Sequence, residues 1–255
     1  MKKGQLKEKL YSGQSALGTW VFMPCVPVVE IIGLSNFDFI VIDMEHSPIS
    51  FETAIELIIA AENYNLTPII RVSSLHSSPI LRALDSGAHG VQVPHIEKFE
   101  DAKKVIKFTK YHPVGLRGMA PNSRGGKYTY HDSDKRSKSE NEEILTILNV
   151  EGIEGVNNLP SILELEDIDI IFIGPYDLSQ SAGYPGQIEH PKVTRLIEES
   201  TKAIKDAGKI PGCFAGNEIQ SKHLIDLGVQ YITYSADGPI VRDAFENINH
   251  LFRDI

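Results

Sequence analysis

Eight short runs of apolar, β-branched residues recur along the chain, and longer stretches with helical periodicity separate them. Phe39–Ile42 and Ile170–Ile173 are apolar at every position, which is typical of parallel strands covered on both faces. Within 54–61 the apolar residues recur at i, i+3, i+4 and i+7, the spacing of a helix that buries one face. The predicted strands are Leu17–Phe22, Phe37–Asp43, Thr67–Val72, Gly90–Pro94, Thr146–Val150, Asp169–Gly174, Ile210–Phe214 and Tyr231–Ser235.

Strands that alternate with helices in this way predict an α/β fold, a (β/α)8 barrel of the TIM type. The 255 residues suit one such barrel, so we predict a single domain over residues 1–255. A doubly wound open sheet is the alternative. It is less favoured because eight units in one domain-length chain suit closure, and no Gly-x-Gly-x-x-Gly follows the first strand.

One polar segment, residues 117–143, interrupts the alternation with Gly, Ser, Lys and Asp. We predict a long loop here. A loop of this length inside a domain is usually functional or disordered. It follows the fourth helix, so it should begin at the N-terminal face of the barrel. It is either a solvated excursion or a contact with substrate or with another subunit.

Composition excludes several classes of function. The formal net charge of −9 argues against nucleic acid as the main partner, because phosphate binding needs a basic surface. No apolar run approaches the roughly 18 residues of a membrane helix, so no membrane partner is expected. Only Cys25 and Cys213 are present, too few for a disulfide framework, which favours a reduced, cytoplasmic location.

Ionisable residues gather where four of the predicted strands end. In a parallel barrel these C-terminal ends carry the chemistry. The residues are Asp43, Glu45 and His46 after the second strand, Arg71 in the third, Glu151 after the fifth and Asp177 after the sixth. They could form structural salt bridges, but the carboxylates outnumber the cations, and a bound cation relieves such crowding. Oxygen ligands favour Mg²⁺ or Mn²⁺, with Glu151 and Asp177 the better ligand pair.

Other nucleophiles are poorly placed. No lysine lies within or at the C-terminal end of a predicted strand, so Schiff-base chemistry is disfavoured. Cys213 is interpreted as a small core residue. The remaining histidines, His95 among them, lack metal-ligand spacing and are interpreted mostly as surface or loop residues.

With these residues the chain resembles the HpcH/HpaI aldolase family, metal-dependent class II pyruvate aldolases of the phosphoenolpyruvate/pyruvate barrel superfamily. The resemblance covers nearly the whole chain. Its most specific feature is the ordered set of motifs, in which 26 positions separate Glu151 from Asp177. The motifs are Gly18–Trp20, Phe37–His46, Ile70–Val72, Leu84–Ala88, Gly115–Gly118, Val150–Glu151 and Phe172–Ser179, followed by Gly183 and His190–Pro191.

The resemblance implies roles for individual residues. Glu151 and Asp177 match the divalent metal ligands, and Arg71 matches the arginine that holds the pyruvyl oxygen and stabilises the enolate. His46 matches the catalytic base, and Asp85 matches the aspartate that makes this histidine more basic. Further matches concern substrate binding and support of the site. The substrate-binding positions are Arg71, Asn149, Gly174, Pro175, Tyr176, Asp177 and Phe214, and the supporting ones are Asp43 and Glu45.

Some positions depart from the family pattern. Asn149 and Gly152 stand where many members carry Gln and Thr or Ser, and Phe214 stands where a smaller apolar residue often lines the aldehyde pocket. The implied cofactor is a divalent metal, Mg²⁺ or Mn²⁺ first and Co²⁺ or Zn²⁺ after them. The implied assembly is a homo-oligomer, a hexamer by resemblance.

The implied activity is a carbon–carbon lyase that reversibly cleaves a 4-hydroxy-2-oxo acid, such as 4-hydroxy-2-oxoheptanedioate, to pyruvate and an aldehyde. Such an enzyme would serve aromatic compound catabolism. The alternatives are a 2-keto-3-deoxy sugar acid aldolase and, more remotely, a CoA-ester lyase or a non-catalytic barrel that binds a metabolite.

Overall fold

The computed structural model describes residues 3–253, so the first two and last two positions of the predicted domain lie outside the described residues. Eight parallel strands form one closed barrel in sequence order. The strands are β1 Ala16–Val21, β2 Phe39–Asp43, β3 Thr67–Arg71, β4 Gly90–Val93, β5 Leu145–Val150, β6 Ile170–Ile173, β7 Ile210–Ala215 and β8 Tyr231–Ala236. Pairing of β1 with both β2 and β8 closes the sheet, so the predicted barrel is confirmed and the open sheet is wrong.

Twelve helices connect or flank these strands in the described chain. They are α1 Gln5–Tyr11, α2 Val26–Leu34, α3 Phe51–Asn63, α4 Ser77–Asp85, α5 Phe99–Thr109, α6 Ser133–Glu143, α7 Ile153–Asn157, α8 Leu159–Ile162, α9 Pro175–Ser181, α10 Pro191–Asp206, α11 Glu218–Leu227 and α12 Asp237–Arg253. Local sequence sets several of their starts. Ser50 caps α3 by accepting the N–H of Thr53, and Pro191 begins α10, where its missing N–H costs nothing.

The strands bury both faces, which explains their continuous apolar runs. One apolar cluster fills the layer between strands and helices, and another fills the barrel interior. Inside the barrel, the Phe39 ring stacks on Tyr231 with centroids 4.1 Å apart. Gly18 makes room for this stack, because a Cβ there would lie 2.2 Å from the Phe39 ring.

The segment 117–143 is irregular only as far as residue 132. The prediction of a loop is wrong for the rest, since α6 occupies Ser133–Glu143. This helix is polar on every side, so it lacks the apolar stripe that marks a helix in sequence. Ion pairs hold its one buried residue, Glu140, which contacts Lys3 and also Arg117 at 3.0 Å.

Helix α12 differs from the other long helices because almost all of it is exposed. Its exposed large apolar residues are Ile240, Val241, Phe245, Ile248, Leu251 and Phe252. No helix within residues 3–253 is long and apolar enough to cross a membrane.

Candidate active site

A cavity of about 320 Å³ opens at the C-terminal ends of the strands. This is the end at which parallel barrels carry their chemistry. The lining residues are Trp20, Phe22, His46, Arg71, Asn149, Glu151, Phe172, Gly174, Pro175, Tyr176, Asp177, Phe214 and Ala236. The cavity therefore collects most of the site residues predicted from the sequence.

Arg71, the last residue of β3, is the buried cation of this site. Its Nε donates to Asp43 Oδ1 at 2.7 Å, and its Nη1 lies 3.3 Å from Glu45 Oε2. The guanidinium carbon also lies 4.3 Å from the centre of the Trp20 ring. Two carboxylates and an aromatic face thus fix the guanidinium, a geometry that a lysine ammonium cannot reproduce.

Asp43 organises the turn that follows β2. Its two carboxylate oxygens accept the backbone N–H groups of Glu45 and His46, each at 3.1 Å. This turn directs His46 to the cavity, where its side chain is 58% exposed and its Nε2 lies 3.8 Å from Glu45 Oε2. His46 is therefore accessible to a substrate, as a base must be.

Glu151, just after β5, is a buried carboxylate with both oxygens oriented by neutral donors. Oε1 accepts the backbone N–H of His95 at 2.8 Å, and Oε2 accepts Asn149 Nδ2 at 3.1 Å. Burial raises the pKa of Glu151, and the charges of Asp177 and Glu45 add to the rise against the opposing effect of His95. Its charged form would be stabilised by a further cation.

His95 joins this group, contrary to its interpretation as a surface or loop histidine. Its Nε2 lies 3.1 Å from Glu45 Oε1 and its Nδ1 lies 3.2 Å from Glu151 Oε1. A backbone φ of 56° places it there, an uncommon conformation outside glycine. The sequence signal for His95 is its position two residues after the end of β4, where other strands also carry site residues.

Aromatic residues form the outer wall of the cavity. Asp177 and Tyr176 lie in the first turn of α9 and are exposed to the cavity, and Pro175 begins that helix. The Tyr176 ring packs edge-on against Phe214 of β7, with centroids 5.6 Å apart. Both rings line the same cavity as Glu151 and Asp177.

The structure does not bring Asp85 together with His46 within one chain. Asp85 ends α4, which runs antiparallel to the strands, so it lies at the opposite, N-terminal end of the barrel. There it accepts Arg117 Nη2 at 3.2 Å. Burial raises the pKa of Asp85 despite this partner. The expected support of the histidine is therefore absent inside the described chain.

The residues present fit a divalent cation. Glu151 and Asp177 provide hard oxygen donors, and no cysteine thiolate competes in the cavity lining. Gly174 leaves the space that Glu151 occupies, since a Cβ there would lie 2.7 Å from Glu151 Oε2. Within residues 3–253 no three His, Cys, Asp or Glu side chains are grouped to hold a metal by themselves. Water and substrate would complete the coordination of such a cation.

Comparison with known proteins agrees with the fold. The sequence model of the HpcH/HpaI aldolase/citrate lyase family matches residues 17–244. The chain is 30% identical to 4-hydroxy-2-oxo-heptane-1,7-dioate aldolase of Shigella flexneri over 244 residues, 96% of this chain and 91% of that protein. It is 31% identical to 2-keto-3-deoxy-L-rhamnonate aldolase of Klebsiella pneumoniae over 251 residues, 97% and 92% of the two chains.

Among solved structures, the citrate synthase SbnG is 31% identical and superposes with a TM-score of 0.88, covering 98% of this chain and 99% of that one. A match of this extent, together with the two aldolases, supports the barrel fold and the family. The chain therefore belongs to the HpcH/HpaI aldolase/citrate lyase family and is an enzyme of the aldolase type, a carbon–carbon lyase.

Proposed function

We propose that the protein is a divalent-metal-dependent aldolase that cleaves a 4-hydroxy-2-oxo acid, such as 4-hydroxy-2-oxoheptanedioate, to pyruvate and an aldehyde. The observation that carries this proposal is the pairing, in one cavity, of the Glu151 and Asp177 carboxylates with the fixed guanidinium of Arg71. The names of the aldolase relatives support the same reaction class.

The chain's own residues account for the steps of cleavage. When bound by Glu151 and Asp177, the cation would supply Lewis-acid polarisation of the 2-keto oxygen. His46, directly or through water, takes the proton of the 4-hydroxyl, and the C3–C4 bond breaks to release the aldehyde. The electron pair enters the pyruvate enolate, whose negative charge Arg71 stabilises. Protonation at C3 then gives pyruvate.

The described side chains around the cavity offer no amine for a Schiff base. None of the residues that line it in the described chain is a lysine. Lys110 is buried, but it follows α5 at the opposite end of the barrel and donates to the Asn141 and Ile144 carbonyls. Burial lowers the pKa of Lys110 to about 8 without placing its amine near a substrate.

The direct test is turnover of 4-hydroxy-2-oxo acids with coupled pyruvate detection, with and without Mg²⁺, Mn²⁺ and Co²⁺. Chelated enzyme should be inactive, and Glu151→Gln and Asp177→Asn should lose both activity and metal affinity. Glu154→Gln is the matched control, because Glu154 is exposed and pairs with Lys98 outside the cavity. Undiminished turnover in fully chelated enzyme would refute metal dependence.

Substrate choice separates the first proposal from a 2-keto-3-deoxy sugar acid aldolase. The Klebsiella relative carries that activity in its name, and its identity to this chain is similar. The aromatic wall of Tyr176 and Phe214 favours a simple aldehyde over a heavily hydroxylated one, because rings offer apolar contact. Higher kcat/KM for 2-keto-3-deoxy sugar acids would contradict this choice.

A citrate-forming condensation is the second candidate, favoured by the full-length similarity to the citrate synthase SbnG. Such a reaction joins an acetyl unit to a 2-oxo dicarboxylic acid, so it also needs an enolate and a held 2-oxo group. The release of free thiol from acetyl-CoA in the presence of oxaloacetate distinguishes it from aldol cleavage. Citrate formation without pyruvate release would replace the first proposal.

We further propose a cytoplasmic homo-oligomer, a hexamer by family resemblance, that acts in aromatic compound catabolism. The exposed apolar residues of α12 support association, since contiguous exposed apolar surface marks interaction sites. Asp85 could then support His46 only from another copy of the chain. Light scattering measures the assembly, and a monomer at micromolar concentration would contradict it.

A further inference from the structure

Three buried polar side chains form a line of hydrogen bonds that crosses the barrel interior and ends on Glu151. Tyr231, the first residue of β8, donates its hydroxyl to Gln92 Oε1 at 3.3 Å. Gln92 Nε2 donates to Asn149 Oδ1 at 2.8 Å, and Asn149 Nδ2 donates to Glu151 Oε2 at 3.1 Å. Tyr231 and Gln92 are fully buried and Asn149 is 1% exposed. Polar groups so placed are costly unless each finds its partner.

The donor and acceptor directions along this line of hydrogen bonds are set from the Glu151 end. When Glu151 is ionised, as a metal ligand is, its carboxylate only accepts, so Asn149 presents Nδ2 to it and Oδ1 to Gln92. Gln92 must then present Nε2 to Asn149 and Oε1 to Tyr231. The hydroxyl of Tyr231 completes the sequence as a donor, and burial keeps it protonated by raising its pKa. A flipped amide at either position would set two acceptors against each other.

At the far end of this line of hydrogen bonds, packing holds the Tyr231 side chain in place. The Tyr231 ring stacks on Phe39 at 4.1 Å and meets Phe172 edge-on at 6.2 Å. Gly212 of β7 leaves the room that the ring needs, since a Cβ there would lie 3.0 Å from it. The packed ring therefore holds the Tyr231 hydroxyl in a fixed position against Gln92.

We propose that Tyr231, Gln92 and Asn149 act as a positioning relay that orients Glu151 for metal binding. This inference rests on the proposed function, in which Glu151 is a metal ligand. Within the relay the Asn149 amide joins Gln92 to Glu151. A neutral donor on Oε2 orients the carboxylate without neutralising it, so its charge stays available to a cation.

The relay is tested with Tyr231→Phe, Gln92→Leu and the double variant, measuring the Mn²⁺ dissociation constant by calorimetry and the melting temperature without metal. Gln92→Leu should weaken Mn²⁺ binding about tenfold, as outer partners of metal ligands do. Tyr231→Phe should weaken it less. The double variant should bind as Gln92→Leu does, because the hydroxyl acts only through Gln92. If Gln92→Leu fails to fold, Gln92→Met supplies the same test with an unbranched side chain.

Thr233→Val is the matched control. Thr233 lies on the same strand as Tyr231, and its buried hydroxyl has no hydrogen-bond partner among residues 3–253. This variant loses a buried hydroxyl but breaks no bond to the relay, so its Mn²⁺ affinity should equal that of the wild type.

Two failures are distinguishable. A wild type that binds no divalent metal overturns the proposed function and the relay with it. A wild type that binds Mn²⁺, with relay variants that lower the melting temperature but keep the wild-type dissociation constant, overturns the relay alone.

Discussion

Gly174 gives the sharpest test of the site, because a single methyl group there competes with Glu151 for space. Its backbone angles, φ −81° and ψ 101°, are open to alanine, so Gly174→Ala introduces no backbone strain. The added Cβ would lie 2.7 Å from Glu151 Oε2 and 2.9 Å from Glu151 Cβ. The effect of this substitution is therefore steric and directed at one carboxylate.

The size of the effect follows from those distances. Real Cβ contacts essentially never fall below 3.0 Å, so Glu151 and the Gly174 backbone must separate by at least about 0.3 Å. That movement strains the bonds that Glu151 accepts from Asn149 and His95, at 3.1 and 2.8 Å. Overpacking of this kind costs about 1–3 kcal/mol of stability. Because a misplacement of about 1 Å can cost about 10²-fold in rate, we expect a shift of about 0.3 Å to lower kcat by roughly fourfold or more.

Gly152→Ala is the control, since Gly152 directly follows Glu151 in the chain. Apart from its two chain neighbours, a Cβ there would have its nearest contacts at 3.7 Å from Ser181 and 3.9 Å from Glu97, and its φ of −131° suits alanine. Pyruvate release, the Mn²⁺ dissociation constant and the melting temperature are measured for both variants. Gly174→Ala should lose activity and metal affinity while Gly152→Ala keeps both. Equal metal affinity in the two variants would refute the geometric reasoning.

Three further predictions concern other parts of the molecule. Arg71→Lys should lower kcat/KM by about 10²-fold or more, because the planar fork is lost; wild-type exchange of pyruvate methyl protons, followed by NMR, would contradict this. Burial alone would raise the pKa of Glu62, but the contacts with His89 and Arg124 lower this pKa to about 2. The Glu62 carboxylate therefore contributes fully to the free energy of unfolding above pH 4.5, and this contribution is lost as the pH falls toward 2. Glu62→Gln should therefore flatten the loss of unfolding free energy between pH 4.5 and 3, measured by urea titration; an unchanged slope would refute it. Phe214→Leu should lower KM for bulkier aldehydes in the condensation direction, and an unchanged preference would remove Phe214 from the aldehyde wall.

The sequence predicted the barrel well because strand burial has a direct signature. Runs such as Phe39–Ile42 are apolar at every position since both faces are covered, and the predicted strand bounds differ from the structure by two residues or fewer. The same logic located Arg71 and Glu151, because polar residues directly after buried runs stand out against their neighbours. Here local sequence and long-range packing demand the same residue types.

The sequence could not predict features that depend on distant partners. Helix α6 has no apolar stripe, and its buried Glu140 is stabilised by Lys3 and Arg117 from other parts of the chain. His95 reaches Glu45 and Glu151 through a positive φ that no neighbouring glycine announces. Both are set by tertiary contacts, which periodicity does not record.

The arrangement of charge at the strand ends supports the proposed cation. The Arg71 guanidinium is already engaged by Asp43, Glu45 and the Trp20 ring. Glu151 is buried near Asp177; its oxygens accept Asn149 Nδ2 and the His95 backbone N–H, and the His95 ring Nδ1 lies 3.2 Å from Oε1. A buried carboxylate beside a second carboxylate retains its negative charge at a cost, and a divalent ion held there would offset that cost. In the proposed function, Arg71 would stabilise charge that develops on the substrate, and Glu151 with Asp177 would hold the ion.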